Sequence, residues 1–281
     1  MTRTQAPPTI ASTLAHLQAH GLDRLDAQLL LLHGLGQAAH QRAWLLAHDT
    51  DLVNPESLHQ LNTLAARRQQ GEPLAYLTGH KAFYGLDLQV DARVLVPRPD
   101  TETLVDWALA LLAPQSKSDV LDLGTGSGAI ALALKATRPD LNVSAIDYSD
   151  AALTVARANA QRLQLDVHFQ QGSWLNGVQA QYQLIVSNPP YIAAQDHHLS
   201  ALTFEPLQAL ASGDDGLDDI RHIIARAPAH LLAGGWLLLE HGYDQAPGVR
   251  DLLLAAGFGD VQSRLDLNGI ERCSGGQWQP D

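Results

Sequence analysis

The sequence predicts an α/β protein: a mostly parallel sheet wound with helices, antiparallel at one edge, preceded by a small helical bundle. Three observations lead there. From Asp119 onward, short β-branched-rich apolar runs alternate with helical patterns, the order that builds a parallel sheet through right-handed crossovers. Before Gly71 the apolar residues recur at helical spacing. The run Val120-Leu121-Asp122-Leu123 passes directly into Gly124-Thr125-Gly126-Ser127-Gly128, a strand-to-helix turn that needs backbone freedom.

The totals narrow the function classes. A chain of 281 residues suits two domains, and 46% hydrophobic residues is ordinary for a globular protein. A net charge of −12 speaks against a protein that grips nucleic acid through its phosphates, although it leaves room for an acidic face that meets a basic protein. The single cysteine, Cys273, rules out an internal disulfide and a cysteine-rich metal site. No apolar stretch reaches the roughly 20 residues of a membrane span, and no leader pattern opens the chain. A soluble, reducing, cytoplasmic setting is expected.

In chain order, Pro7-Pro8 starts a helix that carries Ile10, Leu14 and Leu17 and stops at Gly21. Asp23 caps a second helix bearing Leu25, Leu29, Leu30 and Leu32, which stops at Gly34. A short helix is expected over 37–46. Asn54-Pro55-Glu56 opens another, with Leu58, Leu61 and Leu64 on one face and Arg67-Arg68 closing it. This bundle carries no catalytic motif and reads as a recognition domain or a stabilising cap. Tyr76-Leu77-Thr78-Gly79 and Phe83-Tyr84-Gly85-Leu86 then read as a β-hairpin. Pro97-Arg98-Pro99-Asp100-Thr101-Glu102 is a rigid turn into a helix, with Asp100 or Thr101 as its cap.

In the sheet region, the spacing G-x-G-x-G at 124–128 departs from the dinucleotide fingerprint, but a helix N-terminus behind it favours an anionic ligand group. Val143–Ile146 ends on Asp147, about 20 residues beyond the glycines and placed to accept ribose hydroxyls or to cap the helix expected over 149–163. A strand over 166–170 leads to Gly172-Ser173-Trp174, where the tryptophan fits either an adenine wall or a loop anchor. Leu184-Ile185-Val186 delivers Asn188-Pro189-Pro190-Tyr191 to the carboxyl end of a strand, where open α/β sheets place their chemistry. Two prolines stiffen this corner and remove two amide donors. An Asn carbonyl and a proline carbonyl can together accept both hydrogens of an –NH2 group.

The polar stretch 193–215 is long enough to be a substrate lid. Within it Asp196-His197-His198 reads as solvated loop, and no metal is expected. A helix over 217–232, a strand over 236–240, a helix over 247–256 and two strands over 258–265 and 270–278 complete the chain, the last pair antiparallel at the sheet edge.

Taken together, Asp122–Gly128, Asp147 and Asn188–Tyr191 resemble the Rossmann-like class I S-adenosylmethionine-dependent methyltransferases. Pro97–Glu102, Leu238-Leu239-Glu240-His241-Gly242 and the helical N-terminus narrow the likeness to the bacterial peptide-chain release factor glutamine N5-methyltransferases. The resemblance implies a substrate: the glutamine of the Gly-Gly-Gln motif in class 1 release factors, methylated on its side-chain amide nitrogen. It implies S-adenosyl-L-methionine over Gly124, Thr125, Gly126, Ser127 and Gly128, its ribose on Asp147, its adenine near Trp174 and Asn188 also against it, leaving as S-adenosyl-L-homocysteine. It implies that Asn188 and the Pro189 carbonyl hold the glutamine amide, with Pro190 and Tyr191 completing the pocket. No general base is evident beside Asn188, so the proton is expected to leave to water after transfer.

The expected domains are 1–72 for release-factor recognition, 73–96 as hairpin linker and 97–281 for catalysis, in a monomer with no direct nucleic-acid or membrane contact. The chain departs from the family at Ser173, where an acidic residue usually stands, and at Thr203, where an arginine does. It also carries a Gly-Gly-Gln of its own at 275–277, a chance match or a site of self-methylation. Two enzymes share the Asn-Pro-Pro-Tyr chemistry. One is an adenine-N6 nucleic-acid methyltransferase, which the charge disfavours; the other is a glutamine methyltransferase acting on a ribosomal protein. A cofactor-binding protein with an idle site is the non-enzymatic alternative.

Overall fold

The computed structural model describes residues 7–115 and 117–280, and the chain divides into two compact units, one ending at Gly79 and the other beginning at His80. The first unit is helical. Helix α1 (Ile10–Ala19) starts after Thr9, whose hydroxyl accepts the Ser12 N–H; the cap, not the proline pair, sets this start. Helix α2 (Arg24–Gly34) is capped by Asp23. Helix α3 (Arg42–Ala47) begins later than position 37, because the Gln41 side chain takes the Ala38 N–H and holds the preceding residues in a turn. Helix α4 (Pro55–Gln69) opens on the Asn54 cap with Pro55 in its first turn. Leu17, Leu30, Leu31, Leu45 and Leu61 form the core of this unit.

The segment around Tyr76 is helical, not a strand: α5 spans Leu74–Thr78 and stops at Gly79, whose φ of 76° suits a left-handed C-terminal residue. Leu74, Ala75, Leu77 and Thr78 sit at helical as readily as at alternating spacing, and the short window could not distinguish them. The hairpin instead pairs β1 (His80–Phe83) with β2 (Leu86–Gln89), closed by Tyr84 and Gly85. Both turn residues have positive φ, 46° and 75°, which matches the twist of a two-residue hairpin loop.

Helix α6 (Glu102–Leu111) then leads into a seven-stranded sheet. Strands β3 (Asp119–Leu123), β4 (Asn142–Asp147), β5 (His168–Gln171) and β6 (Tyr182–Ser187) alternate with α7 (Ala129–Thr137) and α8 (Asp150–Leu163). Helix α9 (Asp218–Arg226), strand β7 (Leu231–Glu240), helix α10 (Ala246–Ala255), and strands β8 (Phe258–Leu265) and β9 (Glu271–Trp278) follow. The order is β5-β4-β3-β6-β7-β9-β8, parallel as far as β7, with β9 antiparallel to both its neighbours. Consecutive strands run outward from β3 in both directions, so the sheet reverses its order between β3 and β6. Ligands bind at the carboxyl ends of the strands flanking such a reversal.

Helix α9 is shorter than the expected 217–232 because Pro228 cannot continue it; a 3-10 turn over Ala227–His230 follows and β7 starts at Leu231. The chain's own Gly-Gly-Gln lies in β9. A Cβ on Gly275 would stand 2.6 Å from the Leu237 carbonyl oxygen, and the Gln277 amide donates to the Gly234 carbonyl at 2.9 Å. Close strand packing gives these glycines a purpose of their own. No helix among the described residues is long and apolar enough to cross a membrane.

Candidate active site

Strand β3 is buried along most of its length and ends in a turn where Gly124, Gly126 and Gly128 have φ of 70°, 56° and 86°. Only glycine adopts this run without strain. The Gly124 and Thr125 N–H groups donate to the Ile146 carbonyl at 2.8 and 3.0 Å, which clamps the turn against β4. Asp147 receives the Gly126 N–H on Oδ2 at 2.8 Å and the Ser149 N–H on Oδ1 at 2.9 Å. Ser149, not Asp147, caps α8 by accepting the Ala152 N–H. Burial raises the Asp147 pKa, partly offset by these two backbone donors.

Below the turn, Asp122 is fully buried. Its Oδ2 accepts from the Thr125 hydroxyl at 2.6 Å and the Ala131 N–H at 3.2 Å, while Oδ1 has no partner among the described residues. Burial pushes its carboxyl up to about 7. Asn159 on α8, also fully buried, donates to the Ser127 and Gln89 carbonyls and accepts the Gln89 N–H, tying the glycine turn to β2. Its signal in the sequence is a lone polar side chain on an alanine-rich helix face.

A cavity of about 280 Å³ opens over this turn, lined by Gly124, Gly126, Asp147, Trp174, Asn188 and Pro190 among others. Trp174, at a φ of 51°, lays its ring over Gly124, where an added Cβ would stand 3.2 Å away. Its indole N–H donates to Asp219 Oδ1 at 3.0 Å, and Asp219 is held in turn by the Ser212 hydroxyl at 2.7 Å. The residue is both a wall of the cavity and an anchored loop side chain. Thr125, Ser127 and Gly128 lie buried behind the surface of the turn, outside the lining, and Pro189 is buried at the corner.

Asn188 follows β6, whose last residue, Ser187, bonds the Leu123 carbonyl at 2.7 Å and so fixes the corner to the central strand. Asn188 lines the large cavity and also a smaller one of about 90 Å³, bounded by Tyr191, Arg98, Leu202 and Leu210. Asn188 thus borders both spaces, together with Leu95 and Ala209. The Tyr191 hydroxyl faces Glu240 Oε1 at 3.4 Å, and burial next to that carboxylate raises the phenol pKa. Glu240 ends β7 and is itself buried, its carboxyl pushed up to about 7 by loss of solvent.

The Pro97–Glu102 motif serves three places. Arg98 pairs with the buried Glu205 at 2.5 Å, and Glu205 also accepts the Val96 N–H at 3.0 Å. Glu102 accepts the Tyr84 N–H at 2.8 Å and braces the hairpin turn. Thr101 makes no cap hydrogen bond to α6; its hydroxyl turns inward to Asn188 and Glu240 instead. The stretch 193–215 is pinned at its neck by hydrogen bonds from Ile192 N–H to the Leu210 carbonyl and from Ser212 N–H to the Ile192 carbonyl. Asp196, His197 and His198 sit on its solvent side, with His198 Nδ1 2.7 Å from Asp196.

These features suit an adenosine-containing group. A Cβ on Gly126 would meet nothing within 4 Å, so the turn presents bare backbone to the cavity. Asp147, with one donor on each oxygen, retains lone pairs for hydroxyl hydrogens.

Residues 102–263 match the family described as the methyltransferase small domain, and residues 10–79 match the PrmC N-terminal domain. The chain is 51% identical over 260 residues to the release factor glutamine methyltransferase of Bordetella pertussis, covering 91% of this chain and 95% of that protein. It is 43% identical over 273 residues to the enzyme of the same name from Escherichia coli K12, covering 96% and 97%. A methyltransferase of Pyrococcus furiosus shares the fold at a TM-score of 0.56 and 18% identity, over 78% of this chain and all of the other.

Proposed function

Because the chain belongs to the release factor glutamine methyltransferases, we propose that the glycine-turn cavity and the Asn188 corner form one site for methylating a release factor's glutamine. The cofactor, S-adenosyl-L-methionine, supplies an activated methyl group on sulfur and leaves as S-adenosyl-L-homocysteine. In this reading the Gly124–Gly128 turn offers it bare backbone, Asp147 accepts its ribose hydroxyls and Trp174 flanks its adenine. Thr125, Ser127 and Gly128 act by holding the shape of that turn.

The observation that carries the reading is that Asn188 borders both cavities. The smaller space takes the glutamine side chain, with Tyr191 and Pro190 beside it. Asn188 Oδ1 and the Pro189 carbonyl accept the two amide hydrogens. An amide nitrogen is a weak nucleophile because its lone pair is delocalised, so orientation must supply much of the rate. Such alignment contributes on the order of 7–11 kcal/mol in favourable cases. Two carbonyl acceptors also stabilise the positive charge that grows on nitrogen. Bound over the glycine turn, the cofactor would supply its methyl to that nitrogen, which Asn188 Oδ1 and the Pro189 carbonyl hold in line. Glu240 reaches Asn188 through the Thr101 hydroxyl, and the extra proton leaves nitrogen for water.

At a finer level, the acceptor is the glutamine of the Gly-Gly-Gln motif in class 1 release factors, methylated at N5. The helical N-terminal unit recognises that partner. The enzyme works as a cytoplasmic monomer without direct nucleic-acid contact, a reading the charge of −12 supports.

The test is transfer of labelled methyl to purified release factor, beside a variant factor whose motif glutamine is alanine, with duplex DNA and ribosomal proteins in parallel. Label on the wild-type factor alone is expected; label on DNA or a ribosomal protein would overturn the substrate. Asn188→Ala is expected to lower the rate by about 100-fold or more, the scale of losing one charge-stabilising group, while cofactor affinity stays within a few-fold.

A further inference from the structure

Beside the site, Thr101 and Glu240 are both buried and form a polar line leading to Asn188. Asn188 Nδ2 donates to Thr101 Oγ1 at 3.2 Å, and the Thr101 hydroxyl lies beside the Glu240 carboxyl, where its hydrogen bonding offsets part of the rise in pKa that burial causes. The second Glu240 oxygen has no partner among the described residues. In the parallel pairing of β6 with β7, Ser187 lies opposite Leu239, so Glu240 comes alongside Asn188 one residue further on. Every other residue from Trp236 to Leu239 in that strand is apolar. A carboxylate buried there is costly, since its hydrogen bonds are incomplete.

The line has a direction. At pH 8, above the pH of about 7 to which burial pushes its carboxyl, Glu240 is ionised and only accepts, so the single hydroxyl hydrogen of Thr101 points to Glu240. Thr101 therefore meets Asn188 with a lone pair, and only the –NH2 edge of the amide can satisfy it. The amide is planar, so fixing –NH2 inward fixes Oδ1 on the opposite edge, away from Thr101.

We propose that Glu240 and Thr101 are positioning residues that set the flip of the Asn188 amide, keeping its carbonyl oxygen turned toward the acceptor nitrogen. The inference rests on the reading of Asn188 as the acceptor for the substrate's amide hydrogens. With the amide reversed, Asn188 would present –NH2 to the substrate's –NH2 and repel it. The groups facing Glu240 complete the setting. They are Tyr191 beyond β6, Asp100 in the turn before α6, and Arg272 and Cys273 on β9. Arg272 lies 3.5 Å from Asp100 and 3.2 Å from Asp266, so its charge is shared with those carboxylates.

The experiment measures kcat and KM for release factor at pH 8 in Thr101→Val, Thr101→Ser, Glu240→Leu and Asn188→Ala, with cofactor affinity by calorimetry. Valine keeps the shape of threonine without the hydroxyl; serine keeps the hydroxyl without the methyl. Thr101→Val is expected to lower kcat about 10- to 100-fold while KM and cofactor affinity stay within about three-fold, because the lost contact orients the reacting group. Thr101→Ser is expected to restore kcat to within about three-fold of wild type, and Glu240→Leu, which leaves the Thr101 hydroxyl no carboxylate to donate to, to lower it about ten-fold. Wild-type kcat in Thr101→Val would overturn the proposal. So would equal losses in valine and serine variants, which would mean that shape matters and the hydroxyl does not. If the valine variant does not fold, a folded Glu240→Leu enzyme with wild-type kcat overturns the proposal by itself. An active Asn188→Ala enzyme would instead remove the reading of Asn188 on which the inference stands.

Discussion

A carboxyl group taken out of water without full hydrogen bonding resists ionisation, and Asp122 and Glu240 are both in that position beneath the site. Each has its folded pKa raised to about 7, above the ordinary value near 4. Between those limits the unfolded chain releases a proton that the folded protein keeps. Their contribution to stability is thus fully present below about pH 4 and is lost as pH rises through about 7. The paired carboxylates Asp91, Asp215 and Asp266 work in the opposite sense and lower down, since their pKa values are depressed. Thermal unfolding of the free protein at pH 4.5, 6 and 8 is therefore expected to show a falling Tm across this window. In Asp122→Asn the fall should be smaller, because the amide oxygen still accepts from Thr125 and Ala131 but carries no proton to lose. An identical pH slope in the variant would show that Asp122 ionises freely.

At the scale of elements, β9 shows how a sheet sets residue choice. Gly275 lies between β7 and β8, and a Cβ there would stand 2.5 Å from Leu238 Cδ2, 2.6 Å from the Leu237 carbonyl oxygen and 2.9 Å from the Trp107 ring. The carbonyl belongs to a paired strand and cannot move aside. Gly275→Ala is expected to destabilise the fold by about 2–3 kcal/mol, as overpacking of a well-filled core does. Denaturant unfolding measures this directly; a loss below about 0.5 kcal/mol would mean that β9 shifts to accommodate the methyl. The same register holds Gln277, its amide spent on Gly234, within the sheet. Helix ends obey equally local rules where a cap is present: Asp23, Asn54 and Ser149 each accept the N–H three residues on. Thr101 breaks that rule: its hydroxyl leaves the start of α6 uncapped and meets Asn188 instead.

At the scale of the whole molecule, contacts between distant segments close the site. The Arg98–Glu205 pair joins positions 107 apart, and the Glu205 side chain is only 3% exposed. Arg98→Leu leaves that carboxylate buried beside the Val96 N–H alone. Allowing for the partial exposure of Arg98, a loss of about 2–3 kcal/mol is expected, with faster proteolysis in the 193–215 stretch. Unchanged stability and cleavage would show that the pair does not hold that stretch. The sequence by itself determined the alternation of strands and helices, the glycine turn, Asp147 at the tip of its strand and Asn188 at the end of another. Those features follow from periodicity, backbone freedom and proline stiffness, which act between neighbours in the chain. It misjudged residues 74–78, where five residues carry too little periodicity to separate helix from strand. The tertiary structure decided what Thr101, Asn159, Glu205, Asp219 and Glu240 do. Each is an ordinary polar residue in its own segment, and its partner lies on another. Hydrogen bonds have a reach of about 3 Å and a direction, so their pairing is set when the sheet brings strand ends together, and spacing along the chain does not record it.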